Sequence, residues 1–125
     1  MPRKLLSKGQ TEAAISDAVT KFEKDYMGRG PLETRTFIIG DMVIVRLKGI
    51  LTKAELKLSK SEHQARGRDL VKQVRIELIE SNRHLLETMI RTITRRKVIS
   101  LHTDLSTETG ERIIVLVLDK PPVFA

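Results

Sequence analysis

A chain of 125 residues fits one domain, and its 40% hydrophobic content is enough to build a core. It contains no cysteine, which excludes disulfides, thiolate nucleophiles and cysteine-based zinc sites. Its net charge of +7 favours anionic partners without singling one out. No stretch approaches the ~18 apolar residues of a membrane-spanning helix, and the basic N-terminus lacks the apolar segment of a signal peptide. We therefore expect a soluble, cytoplasmic protein with no transmembrane segment.

The first helix is predicted from polar and apolar residues near the N-terminus. Ser7 and Gln10 have the spacing of a capping box, which indicates a helix over about residues 9–27. Its predicted buried stripe, at helical spacing, consists of Ile15, Val19, Phe22 and Tyr26. Gly28 stands where a residue with a positive φ angle commonly ends a helix, so we expect the chain to turn there.

A hairpin and a short helix are predicted next. Residues 34–39 and 42–47 have the composition of strands, and Gly40-Asp41 between them is typical of a two-residue hairpin turn. Thr52 and Glu55 form a second capping box, which indicates the start of a short helix.

The longest predicted element is an amphipathic helix over residues 62–94, about 50 Å long at ~1.5 Å per residue. Its apolar arc comprises Leu70, Val71, Val74, Leu78, Ile79, Leu85, Leu86, Met89, Ile90 and Ile93. This arc is broader than a coiled-coil seam, so a sheet or several helices must cover it. Arg75 and Asn82 fall inside the arc, where they either find buried partners or reach the rim of the core; we favour the rim for the arginine. Strands are predicted over residues 98–105 and 112–118.

The order of these elements indicates an α+β fold. Two helix–hairpin (αββ) units would form a four-stranded antiparallel sheet, with the long helix and the shorter helices packed on one face. Residues 40–47 and 110–117 share a pattern of glycine, acid and aliphatic residues, which favours an internal duplication without establishing it. We predict a single domain with a flexible N-terminus over residues 1–8, a globular part over residues 9–119 and a tail over residues 120–125.

Several short motifs occur in a characteristic order along the chain. They are Gly28-Arg29-Gly30-Pro31, Arg35, Gly40-Asp41 leading to Val45-Arg46-Leu47, Leu51-Thr52 to Glu55, His102-Thr103-Asp104 and Gly110-Glu111-Arg112. Together they resemble the MpsC-like family of small bacterial proteins, over about residues 10–119. That family is named after a sodium-translocating, membrane-potential-generating system. One departure is Arg95, which stands where the family pattern has a glycine before Arg96-Lys97-Val98.

The resemblance implies an accessory protein of a membrane-associated system that handles sodium or inorganic carbon. It carries over no catalytic residues, and the residues themselves form no complete catalytic set, so we predict a protein that is not an enzyme and has no cofactor and no metal. His102 and Asp104 lie two apart on one predicted strand, so their side chains share a face and form a possible polar site. A third metal ligand at a suitable spacing is missing.

The candidate binding residues are basic and lie near turns and strand ends: Arg29, Arg35, Arg46, Arg95, Arg96 and Lys97. They suit either an anion-binding site or a docking patch for a protein partner. We expect the connections before the first and third strands to lie at the same end of the sheet and to form one positive patch. A nucleic-acid-binding regulator is an alternative, disfavoured because no aromatic residue sits on a strand among basic residues as a base-stacking platform would require. A small-anion-binding domain is a second alternative.

The pattern of the last strand bears on assembly. Residues 113–118 are apolar at six consecutive positions, so both faces of this strand avoid water. The helices of one domain cover only one face of a four-stranded sheet, so we predict a homodimer that buries the other face or the strand's edge. The further partner implied by the resemblance is a membrane-protein subunit of an ion-translocating complex, reached from the cytoplasm at the inner face of the membrane.

Overall fold

The computed structural model describes residues 4–60 and 64–125 of the chain. In chain order the elements are α1 (Lys8–Phe22), a π-helical segment (Glu23–Met27), β1 (Glu33–Ile39), β2 (Met42–Lys48), α2 (Lys53–Ser59), α3 (Gln64–Thr94), β3 (Val98–Leu105) and β4 (Arg112–Leu118). Residues 61–63, where the sequence predicts the start of the long helix, lie outside the described residues.

Two helices begin at the predicted capping boxes. At α1, the Gln10 backbone N–H donates to Ser7 Oγ at 3.1 Å, and the Ser7 N–H donates to Gln10 Oε1 at 2.9 Å. At α2, Thr52 and Glu55 exchange the same pair of bonds, at 3.2 and 3.0 Å. Each box satisfies two N–H groups that a helix start otherwise leaves without partners, which explains why local sequence locates both starts.

The π-helical segment alters the predicted buried stripe of the first helix. Ile15, Val19 and Phe22 are buried as expected, but Tyr26 is 46% exposed and Met27 is buried instead. A π-helical turn contains more residues than an α-helical turn, so the residue that faces the core moves one position along the chain. The inclusion of Tyr26 in the buried stripe was therefore wrong.

The predicted α+β class and its four-stranded antiparallel sheet are confirmed. The strand order is β1-β2-β4-β3, and every neighbouring pair is antiparallel. Ile39 pairs with Met42 across the two-residue turn, in which Gly40 adopts a φ of 60°. The two hairpins meet through β2 and β4, and β1 and β3 form the edges of the sheet.

One face of the sheet is covered by helices and carries the core. Its buried aliphatic strand residues are Ile38, Val43, Val45, Leu47, Leu105, Ile114, Leu116 and Leu118. From the helices, the buried aliphatic and aromatic residues of this core include Ile15, Val19, Phe22, Val71, Ile79, Leu86 and Ile90.

Leu70, Val74 and Leu85 of the predicted apolar arc of α3 are instead 45%, 52% and 36% exposed. Val71, Arg75 and Ile79, on the same turns of α3 or the next, are buried. The exposed residues therefore lie along one edge of the predicted arc, and the buried stripe of the helix is narrower than predicted.

Candidate interaction surface and buried ionic cluster

Alternate residues of the four strands point away from the helices and form what we call the open face of the sheet. The register places its side chains in three rows: Ile39, Met42, Val117 and Ser100; then Phe37, Ile44, Val115 and His102; then Arg35, Arg46, Ile113 and Asp104. The open face is therefore apolar at its centre and at one end, and charged at the other end. Phe37 and Ile39 are 45% and 58% exposed.

Arg35 and Arg46 stand directly opposite each other on β1 and β2. Two like charges at such positions repel, but each has an acidic partner. Arg35 Nε donates to Glu33 Oε1 at 2.8 Å, and Arg46 Nη2 donates to Glu111 Oε2 at 2.9 Å. The hydrogen bond from Arg35 lowers the pKa of Glu33, and the bond to Glu111 raises the pKa of Arg46. The structure thus brings these two predicted binding residues together and pairs both.

His102 and Asp104 share the open face on the edge strand β3, as their spacing predicts. Asp104 Oδ1 accepts from the Leu105 N–H at 2.8 Å and lies 3.4 Å from Lys72 Nζ. The pKa of Asp104 is lowered mainly by the hydrogen bond from the Leu105 N–H and further by Lys72. In the described parts of the chain, no three histidine, aspartate or glutamate side chains lie close enough together to hold a metal ion.

The remaining predicted cations lie at two separate ends of the sheet. Arg29 precedes β1, which begins beside the end of β2 at Lys48. Arg95, Arg96 and Lys97 precede β3, which begins at the opposite end, beside Leu118. In the order β1-β2-β4-β3 with antiparallel neighbours, β1 and β3 run in opposite directions. The prediction of one positive patch was therefore wrong.

Around these cations the hydrogen bonds mostly support turns. Arg29 Nη1 donates to the Leu51 carbonyl at 3.3 Å, and Arg96 Nε donates to the Pro121 carbonyl at 3.0 Å. The Lys97 N–H donates to Asp119 Oδ1 at 3.0 Å.

Arg95 has a φ of 60° at the end of α3. It is the only described residue other than glycine with a positive φ angle. This is the position at which the resemblance led us to expect a glycine, a residue that adopts such an angle without strain.

Arg75 on α3 is at the centre of a buried ionic cluster. It is 3% exposed, so the expectation that it reaches solvent was wrong. Its guanidinium donates to Glu55 Oε2 at 2.9 Å and Glu55 Oε1 at 2.6 Å, to the Met27 carbonyl at 2.6 Å and to the Ile50 carbonyl at 2.8 Å. Burial alone would raise the pKa of Glu55, but hydrogen bonds from Arg75 and Thr52 outweigh it and lower this pKa.

A second buried pair lies beside the first and is much less well matched. Glu23, fully buried in the π-helical segment, places Oε1 3.8 Å from Nε of Arg112, which is 2% exposed. This distance is too long for a hydrogen bond, and neither Glu23 oxygen nor Arg112 Nε has a protein partner. Burial raises the pKa of Glu23 against the attraction of Arg112 and Arg75, and burial lowers the pKa of Arg112.

The cluster borders a small cleft between α3, β3 and β4. Its volume is about 50 Å³, and its lining residues are Lys72, Arg75, Ile76, Ile79, Thr103, Asp104, Leu105 and Arg112. Thr103 Oγ1 is buried and has no protein partner. The cleft therefore combines a buried cation and a buried hydroxyl, both with unused hydrogen-bonding capacity.

Sequence reasoning identified neither Glu23 nor Arg112 as a site residue. Glu23 follows Val19 at helical spacing, which would have been a signal that it continues the buried stripe. For Arg112 no such signal exists, because the next six residues are all apolar and do not reveal which of them share its face.

A family model described as "Na+-translocating membrane potential-generating system (MpsC)" matches residues 7–120. The chain belongs to the MpsC family. It is also similar to a protein of Bacillus subtilis (strain 168) described as "Uncharacterized protein YbcI". The two are 49% identical over 112 residues, which cover 90% of this chain and 88% of that protein. No solved structure matches the chain significantly.

In this member of the MpsC family, several of the motifs that carry the resemblance lie at turns and around the buried cluster, and others lie on the open face of the sheet. Gly28, Gly40 and Gly110 all have positive φ angles. Glu55 and Arg112 each belong to one of the two buried ion pairs. No helix in the described parts of the chain is both long enough and apolar enough to cross a membrane.

Proposed function

We propose that this MpsC family member is a non-enzymatic accessory protein of a membrane-associated system that handles sodium or inorganic carbon, and that it acts as a reversible homodimer. The family description supports the link to a membrane system. The observation that carries the role of an interaction protein is the open face of the sheet, an apolar surface that the helices leave uncovered. Surfaces of this kind on a folded domain commonly mark binding sites.

The size of the open face suits a dimer that forms and dissociates. Four strands ~4.8 Å apart, with rows ~7 Å apart, give a face of about 20 by 20 Å. Two copies stacked on this face would bury about 800 Å² of projected area, and somewhat more of accessible surface, which is near the lower limit of specific interfaces. We therefore expect dissociation at about micromolar concentrations.

The charge pattern favours a second copy as the occupant and selects its orientation. In a symmetric face-to-face pair, the two-fold axis lies between the sheets. If it runs along the strands, between β2 and β4, then each β1 faces β3 of the second copy in the same row. Arg35 then faces Asp104 of the second copy, while Ile44 faces Val115 and Met42 faces Val117. Sheets stacked in this way pack as an aligned sandwich.

An axis across the strands gives a much poorer match. It keeps each strand opposite itself and reverses the rows, so Arg35 faces Ile39 instead of Asp104. Arg46 faces an apolar residue about either axis, Ile113 or Met42, so the difference lies at Arg35. Charged groups would then lose water against apolar side chains, which costs several kcal/mol unless they remain paired. We therefore propose the axis that runs along the strands.

Light scattering on a concentration series tests the dimer. The expected mass rises from 14.2 kDa towards twice that value as concentration increases. Phe37→Lys, in the middle row of the open face, is expected to keep the protein at the monomer mass. Leu70→Lys on α3 is the matched control, because both residues are 45% exposed, and it is expected to behave as wild type. Equal behaviour of the two variants, or a wild-type monomer throughout, would refute the dimer.

A charge swap tests the orientation. Arg35→Glu places two acids opposite each other in the proposed dimer, so dimerisation is expected to weaken and to depend more strongly on salt. The double variant Arg35→Glu with Asp104→Arg restores opposite charges and is expected to recover most of the lost affinity. A double variant as weak as the single variant would exclude the axis along the strands.

Sedimentation with membranes tests the accessory role. Wild type is expected to co-sediment with inner-membrane vesicles of its native host, and not with protein-free liposomes of the same lipids. Equal binding to the liposomes would indicate a lipid-binding protein instead. Preferential binding to duplex DNA, with a steep fall in affinity as salt increases, would replace this proposal with a nucleic-acid-binding regulator.

A further inference from the structure

Arg112 is an unusual group to find fully inside a protein core. Its guanidinium carries five N–H donors and no acceptor, so a buried arginine requires several oxygen atoms around it. Glu23, the nearest carboxylate, is in ion-pair range at 3.8 Å but makes no hydrogen bond with Nε. By contrast, Arg75 satisfies its guanidinium with Glu55 and two backbone carbonyls. Arg75 therefore uses four of its five donors, whereas the buried Nε of Arg112 has no hydrogen-bond partner.

A second donor with no protein partner lies on the neighbouring strand. Thr103 and Arg112 both lie on the covered face of the sheet, in adjacent rows of β3 and β4. Both line the cleft of about 50 Å³, and Thr103 Oγ1 is buried without a hydrogen-bond partner. Lys72 lines the same cleft, and its side chain is 42% exposed. Its ammonium group is therefore a third hydrogen-bond donor, on the solvent side of the cleft.

We propose that this cleft binds a small monovalent oxyanion, held by the Arg112 guanidinium and the Thr103 hydroxyl, with Lys72 at its entrance. An oxyanion presents acceptors on two sides and supplies the negative charge that a buried guanidinium requires. A buried water needs ~10–15 Å³, so the cleft has room for about three to five waters or for one planar anion of about four heavy atoms. Formate and nitrate fit this size, whereas tetrahedral phosphate exceeds it.

Glu23 couples this site to pH. The charged groups that face Glu23 are Arg112 on β4 and Arg75 on α3. The two other nearby acids have cationic partners: Glu55 on α2 pairs with Arg75, and Asp104 pairs with Lys72 at the entrance of the cleft. An ionised Glu23 would repel an anion bound to Arg112, whereas a protonated Glu23 would not. Because burial raises the pKa of Glu23, its protonated form, which does not repel the anion, is more populated at a given pH than that of an exposed glutamate. Affinity for the anion is therefore expected to rise as pH falls.

Titration of the full-length protein with sodium formate, followed by NMR at the arginine Nε–H resonances, tests the proposal. We expect saturable shifts at Arg112, a similar response to nitrate, and no saturation with sodium chloride or phosphate at equal ionic strength. Thr103→Val, which preserves shape and removes one hydrogen bond, is expected to weaken formate binding by about 3- to 10-fold. Arg83→Gln, at a partly exposed arginine elsewhere on α3 that pairs with Glu87, is the control and is expected to bind as wild type.

Glu23→Gln is the decisive variant, because it mimics the protonated side chain. It is expected to bind formate about tenfold or more tightly than wild type at pH 8, and to lose the pH dependence. Non-saturating shifts at Arg112 would show that the cleft holds only water. Saturable binding that neither Thr103→Val nor Glu23→Gln changes would show that the anion binds elsewhere, and either result would overturn the proposal. These measurements use the purified protein alone, so their outcome is independent of the proposed dimer and membrane partner.

Discussion

Replacing Arg75 with methionine tests how much the buried ionic cluster contributes to stability. The Met27 and Ile50 carbonyls would lose their side-chain donor, and each buried acceptor left without a partner costs about 1–3 kcal/mol. Glu55 would lose two hydrogen bonds but keeps the Thr52 N–H and is partly exposed, so its loss is smaller. Burying the methionine side chain would offset about 1–2 kcal/mol. With the smaller loss at Glu55 included, the expected net loss is about 2–5 kcal/mol, which overlaps the usual effect of removing one partner of a buried ion pair.

Urea denaturation followed by circular dichroism measures this loss. With a slope of about 2 kcal/mol per molar urea, Arg75→Met is expected to lower the midpoint by about 2 M. Wild type and variant must be compared at one protein concentration, because dimerisation would add to apparent stability. A loss below about 1 kcal/mol, as for an exposed arginine, would show that the cluster does not stabilise the fold.

Glu55→Gln supplies a check that depends on pH. The folded state lowers the pKa of Glu55 below its usual value of 4.5, so the unfolded chain takes up this proton first as pH falls. Stability from Glu55 is therefore complete above pH 4.5 and is lost as pH falls through the lower folded value. The stability difference between wild type and Glu55→Gln is expected to shrink on acidification through that window; a difference that stays constant down to the acid limit of folding would contradict the assigned pairing.

Three further predictions follow from particular residues. At Arg95, where φ is 60°, a glycine variant is expected to be about 1 kcal/mol more stable than an alanine variant by urea denaturation; equal stability would argue against backbone strain there. Gly49→Ala is expected to lower the free energy of unfolding by about 1–3 kcal/mol, because Gly49 has a φ of 69° and an added Cβ would lie 2.6 Å from Leu32 side-chain atoms. Gly9→Ala is the control: an added Cβ would meet nothing there, so its stability is expected to be unchanged or slightly higher. Burial in the folded state raises the pKa of Glu23, so the ionisation of Glu23 lowers the stability of wild type as pH rises from 4.5 through the folded pKa. Glu23→Gln is expected to lack this loss when denaturation is measured at several pH values. Parallel pH profiles of the two proteins would contradict the assigned burial.

The elements of the fold were predictable because their signals are local. Capping boxes at Ser7 and Thr52 act over three residues, and both are present in the structure. The turn at Gly40 and the two strands on either side of it likewise depend on neighbours along the chain. The residues of the open face were also predictable in part, since His102 and Asp104 share that face through simple alternation.

The candidate site was predictable only where its residues are neighbours in sequence. Arg75 stood out as a charge within an apolar arc, but its partners Met27 and Ile50 come from other elements, and nothing in the sequence of α3 indicates them. The expectation that it reaches solvent therefore reflected the usual behaviour of arginine and not the particular surroundings that this core provides.

What the sequence alone determined is the set of helices and strands, their α+β class and the family, because periodicity, caps and turn residues are encoded over short distances. The tertiary structure decided which charges meet. The strand order sends β1 and β3 in opposite directions, which separates Arg29 from Arg96, and it brings Arg112 beneath α3 towards Glu23. It also decided which part of the apolar arc of α3 is buried, because the elements packed against the helix cover Val71 and Ile79 but leave Leu70 and Val74, at one edge of the arc, exposed. Each of these outcomes depends on contacts between elements far apart in the chain, where local patterns carry no information.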